Sequence, residues 1–384
     1  MSIERHDFSS LSPPVWRAST VVFKTLEDFV ARKSRLPDGF TYGTTGTPTQ
    51  RTLEARIAKL DNAQHCVVLP SGQAAVCLAL LALVKAGDHL LMSESSYGPA
   101  KTFALVTLKN LGVEVELYDP CIGANIASLV RSNSKCIWLE SPGSMTMEVQ
   151  DIPAICAIAK SHNLYTAIDN TWASSLGLKP LSMGVDITVQ ACTKYMGGHS
   201  DVLMGSITTN NPSLYAHVRQ LQAGMGQAVN AEDCFLISRG LDTMALRLRE
   251  QSRSTLQIAQ YLETHPAVSE VLYPPLPQSK GHALWKRDFC GAGSLLSVSL
   301  QSAPYAVYQA MFAQFRQFAI GASWGGVHSI AAFYPADEFA ARQHWPCQGP
   351  LVRFSIGLEG TDSIIQELDQ ALQIFQTTLK LGIK

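Results

Sequence analysis

The sequence has no uncharged apolar run approaching 18 residues, so it offers no segment able to cross a bilayer as a helix. It also lacks any Cys-x-x-Cys pair. The nine cysteines stand at 66, 77, 121, 136, 156, 192, 234, 290 and 347, mostly inside apolar runs. An odd number spaced in this way fits buried free thiols of a reducing compartment better than a disulfide framework or a zinc site. Neither sign of charge is in excess, with 30 Lys and Arg against 31 Asp and Glu. That balance supplies no broad attraction to nucleic acid or to an anionic membrane. No repeat and no low-complexity tract interrupts the chain, and "MSIERHDFSSLSPPVW" has no apolar signal region. The expectation is a cytoplasmic globular protein without a nucleic-acid, membrane or metal partner.

At 384 residues, 46% hydrophobic and 16% charged, the chain has room for two or three packed regions. From residue 50, short β-rich runs alternate with helical patterns: "HCVVL", "HLLMSE", "VEVELYD", "KCIWLES", "LYTAIDN", "DITVQA" and "DVLMGSITT". Seven such runs predict an α/β fold built on a large, mostly parallel sheet. "PSGQAAVCLALLALVKAGD" predicts a helix ended by Gly87. After about residue 240 the texture changes to a long amphipathic helix, "LDTMALRLREQSRSTLQIAQYLETHP". "GSLLSVSL" and "LVRFSIGLE" then read as strands of a smaller sheet, closed by the helix "DSIIQELDQALQIFQTTLKL". Residues 1–46 have no convincing core of their own and are expected to form an arm. Residues 47–240 form the larger domain and residues 241–384 a smaller C-terminal α/β domain.

Functional residues of such sheets gather at the carboxyl ends of the strands. Asp169 closes "LYTAIDN", and Lys194 follows "DITVQACT". A carboxylate and an amine placed there suit pyridoxal phosphate, whose aldehyde needs a lysine and whose pyridine nitrogen needs an acid. A plain Lys–Asp salt bridge has the same spacing. Ser71 and Gly72 stand where a strand turns into a helix, the arrangement that collects an anion at a helix N-terminus, although Ser-Gly there also serves as a simple cap. Thr193 adds a hydroxyl next to Lys194.

"SGQAAV", "AIDNTWAS" and "QACTKYMGGHSD" together resemble the cysteine and methionine metabolism family of pyridoxal-phosphate-dependent enzymes. "LESPGSMTMEVQDIPAI", "MGQAVNAED", "SRGLDTMALRLR", "GHALWKRDF", "SWGG" and "RFSIGLE" are similar to its bacterial cystathionine β-lyase branch. The resemblance implies a fold type I, PLP-dependent transferase-like architecture, with residues 47–240 as the cofactor-binding domain. It makes Lys194 the lysine that carries the cofactor and Asp169 the partner of the pyridine nitrogen. Tyr97 would stack on the ring, and Gly72, Gln73 and Thr193 would hold the phosphate. Arg353 would bind the substrate carboxylate with its bidentate fork, beside Ser323 and Trp324. Tyr42 resembles the tyrosine that reaches the phosphate of a neighbouring subunit, which implies a homo-oligomer, typically a tetramer, with shared active sites.

The chain departs from the family pattern at Thr44, where many members carry a phosphate-binding arginine. Arg51 is a replacement to test. "SPGSM" replaces the "TPTNP" of γ-synthases and γ-lyases, and Pro99 replaces the cysteine of methionine γ-lyases. Both favour β-elimination of a sulfur amino acid, L-cystathionine, to L-homocysteine, pyruvate and ammonia. Desulfhydration of cysteine or cystine, γ-elimination and alanine racemisation are the alternatives. A non-catalytic role fits poorly with an intact set of Lys194, Asp169, Tyr97 and Arg353. His199 lacks a ligand-spaced partner and reads as part of a turn, and Cys192 reads as a packed thiol.

Overall fold

A computed structural model describes residues 10–344 and 349–382. Cys347 lies outside the described residues. All seven expected strands form one sheet: β1 (His65–Leu69), β2 (His89–Ser93), β3 (Glu114–Tyr118), β4 (Ser134–Glu140), β5 (Tyr165–Asp169), β6 (Ile187–Gln190) and β7 (Gly205–Thr209). Their order is β1-β7-β6-β5-β4-β2-β3. Strand β7 runs antiparallel to both its neighbours, and every other pairing is parallel. The carboxyl ends of β1, β2, β4, β5 and β6 therefore emerge along one edge. The chain is an α/β protein with a large, mostly parallel seven-stranded sheet, the core of fold type I.

Alternate residues of each strand enter different cores, as the two-residue period of a pleated strand requires. Leu90, Met92 and Trp138 pack with the helices Gly72–Leu83 and Pro212–Gly224. Leu91, Ile137 and Leu139 face the opposite way, toward Ile152 and Ile155 of the helix Ile152–Ser161. With both faces covered, β2 and β4 are near-continuous buried runs, whereas the edge strand β3 alternates and is partly exposed. The helix Gly72–Leu83 stops short of Gly87 because Val84 is already extended.

The second sheet holds β8 (Val268–Leu272), β9 (Leu295–Leu300), β10 (Ala319–Ile320), β11 (Ile330–Tyr334) and β12 (Leu351–Ser355), in the order β10-β11-β12-β9-β8. Of its three inner strands β9 and β12 were legible and β11 was not; β11 and β8 are only partly buried and β10 spans only two residues, so none of these carries a buried-strand pattern. The core around Leu91 and Ile168 continues without a break into this sheet through Ile258, Val298, Phe354 and Phe375.

A single 34-residue helix, Ala231–Thr264, joins the two regions. It begins ten residues before the expected Leu241 and passes through residue 240. Glu232 and Asp233 in its first turn favour that start, because carboxylates stabilise the positive end of a helix. Gly240 obscured the pattern. It is there for packing: a Cβ on it would stand 2.2 Å from the Met196 carbonyl oxygen. Among the described residues no helix is long and apolar enough to cross a membrane. The segment 10–47 contributes no strand among its described residues, and its short helix Leu26–Val30 buries none of its side chains.

Candidate active site

Strand ends build the floor of a cavity of ≈ 270 Å³. Asp169 ends β5 and accepts two hydrogen bonds from Thr171, 2.9 Å from the backbone N–H and 2.5 Å from the hydroxyl. The same hydroxyl oxygen accepts the Ala191 N–H at 2.9 Å, which ties the floor to the end of β6. Burial raises the Asp169 carboxyl above its ordinary range, while Thr171 and the charge of Lys194 oppose the rise.

Gly72 opens the helix after β1, and Ser71 caps it by accepting the Ala74 N–H at 3.0 Å. The N–H groups of Gly72 and Gln73 have no acceptor within the helix, as at any helix start. A Cβ on Gly72 would stand 2.6 Å from the Ala191 Cβ, so only glycine lets this helix start approach the end of β6 so closely.

Lys194 sits in the turn after β6, held by Lys194 N–H to Ala191 carbonyl at 3.0 Å and Gly198 N–H to Lys194 carbonyl at 2.7 Å. Gly198 has φ +74°, and the guanidinium of Arg247 occupies the space a side chain would take. Arg247, reaching in from the long helix, donates to the carbonyls of Tyr195 (2.9 Å) and Gly240 (2.8 Å). This explains the second of the two glycines after Tyr195 and Met196. The amine donates to the Ser323 hydroxyl at 3.1 Å and lies 5.2 Å from the centre of the Trp324 ring. Trp324 is itself set edge-to-face against Tyr195, 5.5 Å between centroids. Burial and the charge of Arg353 pull Lys194 down to about 8, against the opposing pull of Asp169.

Arg353, on β12, brings the second sheet to the cavity. It is 7% exposed, donates to the Ala322 carbonyl at 2.7 Å and lies 3.4 Å from the Met145 sulfur. Among the described residues no carboxylate lies within ion-pair distance of it. A buried guanidinium without an anion is costly unless a ligand supplies one, and a carboxylate matches its fork. Tyr97, at the end of the connection from β2, covers the cavity while 43% exposed.

Lys194, Asp169, Tyr97, Gly72, Gln73, Thr193, Trp324 and Arg353 all line this one cavity. Ser323 stands at its edge and touches it through Lys194. The Thr193 hydroxyl is used within the chain, donating to the Met204 carbonyl at 3.1 Å and accepting the Met204 N–H at 3.0 Å. Tyr42 does not line the cavity of its own chain and is 55% exposed. Arg51 is engaged elsewhere, with the carbonyls of Asp38 (3.2 Å) and Thr45 (2.5 Å) and with Glu54 (2.8 Å), so it is not free to replace an arginine at Thr44. His199 donates from Nδ1 to the Gly197 carbonyl at 2.7 Å, and Cys192 is buried.

Two cavity residues escaped the sequence reading with a signal in plain view. Glu140 ends "KCIWLE" as Asp169 ends "LYTAID", an acid closing an apolar strand. Thr171 stands two positions after Asp169, the spacing at which an Asx side chain accepts a backbone N–H. Met145 carried no signal, since its place beside Arg353 depends on a backbone at φ +72°.

Residues 2–373 match the family described as Cys/Met metabolism PLP-dependent enzyme. The chain belongs to that family. Relatives within this Cys/Met metabolism family include a putative cystathionine beta-lyase of Rhizobium johnstonii, 41% identical over 94% of this chain and 90% of that protein. The cystathionine beta-lyase MetC of Escherichia coli is 38% identical over 95% of this chain and 94% of its own length. The crystal structure of metB from Corynebacterium glutamicum superposes with a TM-score of 0.88 at 28% identity, covering 95% of this chain and 93% of that one. The chain is thus a PLP-dependent enzyme, and its cavity fits the cofactor: a glycine-lined helix start for an anion, a carboxylate on the floor, and an amine that burial and Arg353 pull down to about 8.

Proposed function

We propose that this chain is a carbon–sulfur β-lyase that cleaves L-cystathionine to L-homocysteine, pyruvate and ammonia. The observation that carries the reading is the meeting in one cavity of Lys194, Asp169 and Arg353, the last without a carboxylate partner among the described residues, in a chain whose curated relatives bear the cystathionine beta-lyase name.

In this reading Gly72 and Gln73 hold the cofactor phosphate through their backbone N–H groups, Asp169 holds the pyridine nitrogen, and Tyr97 lies over the ring. Bound there, the cofactor supplies an electron sink for the carbanion formed at the substrate α-carbon. Arg353 takes the α-carboxylate in its fork and so orients the α-hydrogen toward Lys194. The neutral Lys194 amine, released from the cofactor when substrate binds, removes that proton, and the resulting ammonium donates it to the departing sulfur; the three-carbon product then takes up one water to give pyruvate and ammonia. Ser323, accepting from Lys194, steers the amine between these positions. Trp324 and Tyr97 keep water from the reacting centre.

Tyr42 and the exposed apolar side chains of the arm, among them Val15, Trp16, Leu26 and Phe29, support an assembly in which each arm completes a neighbour's site. A tetramer is the form we infer, in the cytoplasm. The test is pyruvate release from L-cystathionine, abolished by Lys194→Ala. Formation of α-ketobutyrate in place of pyruvate would reassign the chain to γ-elimination.

A further inference from the structure

Strands β4 and β5 end level with each other, and their register pairs Glu140 with Asp169. Register partners on adjacent parallel strands lie about 4.8 Å apart and project from the same face. Both carboxyls line the cavity, and Glu140 is only 9% exposed. Two carboxylates so placed in a low-dielectric site do not both ionise at neutral pH; one keeps a proton.

Their surroundings decide which one. Asp169 accepts two hydrogen bonds from Thr171 and feels the charge of Lys194. Glu140 accepts one, from the Tyr97 backbone N–H at 2.7 Å, and among the described residues has no cation within ion-pair distance. The charges facing it are Asp169 and Glu148, which disfavour its ionisation, and Lys101, which favours it. Burial and Asp169 hold the Glu140 carboxyl well above the usual carboxylate range. The oxygen that accepts from Tyr97 serves equally well in the neutral acid.

We propose that Glu140 is a positioning residue for the cofactor ring: it anchors the backbone of Tyr97 and carries the one proton of the Glu140–Asp169 pair, leaving Asp169 as the only anion beneath the ring. This rests on the roles assigned above to Asp169, Tyr97 and Lys194. Glutamine at 140 keeps the acceptor for Tyr97 and mimics the neutral acid, whereas alanine removes both.

The experiment compares holoenzymes of wild type, Glu140→Gln and Glu140→Ala, reading pyridoxal phosphate affinity at pH 7 and visible absorbance against pH. Glu140→Gln is expected to bind the cofactor within about twofold of wild type, and Glu140→Ala about tenfold more weakly, the effect of one lost hydrogen bond. Wild type is expected to show an absorbance transition with pH, from the Glu140 carboxyl held well above the usual carboxylate range, that Glu140→Gln lacks. Equal loss of affinity in the two variants, or superimposable titrations of wild type and Glu140→Gln, would overturn the proposal. Absorbance unchanged by Lys194→Ala would overturn the site assignment itself, and this inference with it.

Discussion

Gly72 faces Ala191 across the start of a helix and the end of a strand, with a separation that leaves no room for a side chain: an added Cβ would stand 2.6 Å from the Ala191 Cβ. This contact sets the helix N-terminus beside the turn that carries Lys194. Gly72→Ala must push the two elements apart, at a cost of about 1–3 kcal/mol for overpacking a tight site. The expected result is a thermal midpoint lower by a few degrees and a weaker grip on pyridoxal phosphate, read by fluorescence titration. Unchanged cofactor affinity would remove the helix start from the phosphate site.

Proton abstraction requires the neutral form of Lys194. Its amine is pulled down to about 8 rather than staying near its ordinary 10.5, so at pH 7 about one tenth is neutral. A group that must lose a proton to act gives a rate that rises with pH and levels above its own titration. The turnover rate with saturating L-cystathionine is therefore expected to climb through pH 8 and flatten beyond it. Removing the charge of Arg353, which helps to lower Lys194, should move that climb to higher pH.

Arg353 offers a planar fork that lysine cannot reproduce. Arg353→Ala loses the charge-assisted hydrogen bonds to the substrate carboxylate, each worth about 1.5–3 kcal/mol. This corresponds to a rise in KM of about ten- to a hundredfold for each bond lost. Arg353→Lys keeps the charge and should fall between wild type and alanine. An alanine variant with an unaltered KM would place the substrate carboxylate elsewhere.

Tyr42 lies outside the cavity of its own chain and is largely exposed, so its proposed role needs a second subunit. Tyr42→Ala and Lys194→Ala should each be impaired alone. Refolded together, mixed dimers would contain one complete site, and random pairing restores about a quarter of the sites. Recovery of β-lyase activity on mixing, absent from either variant alone, is the expected outcome. No recovery despite subunit exchange would refute the shared site.

The strands of the large sheet were readable because burial on both faces leaves unbroken apolar runs, and acids or turns mark their ends. Lys194 and Asp169 were readable for the same reason, as charged groups closing such runs. The long helix was misplaced at its start because Gly240 looks like an interruption locally, whereas its meaning is a close approach to the Met196 carbonyl from a distant part of the chain.

Local pattern and composition by themselves determined the α/β class, the seven strands of the large sheet and the pairing of an amine with a carboxylate at their carboxyl ends. Tertiary structure alone decided that Arg353 comes to that edge with no carboxylate partner among the described residues, that Arg51 is held by Glu54 and two carbonyls, and that Glu140 lies beside Asp169. The physical reason is separation along the chain. Hydrophobic periodicity records which face of an element is buried, but not which element covers it. Burial and the charges of sequence-distant residues then set the proton affinities of Lys194, Asp169 and Glu140.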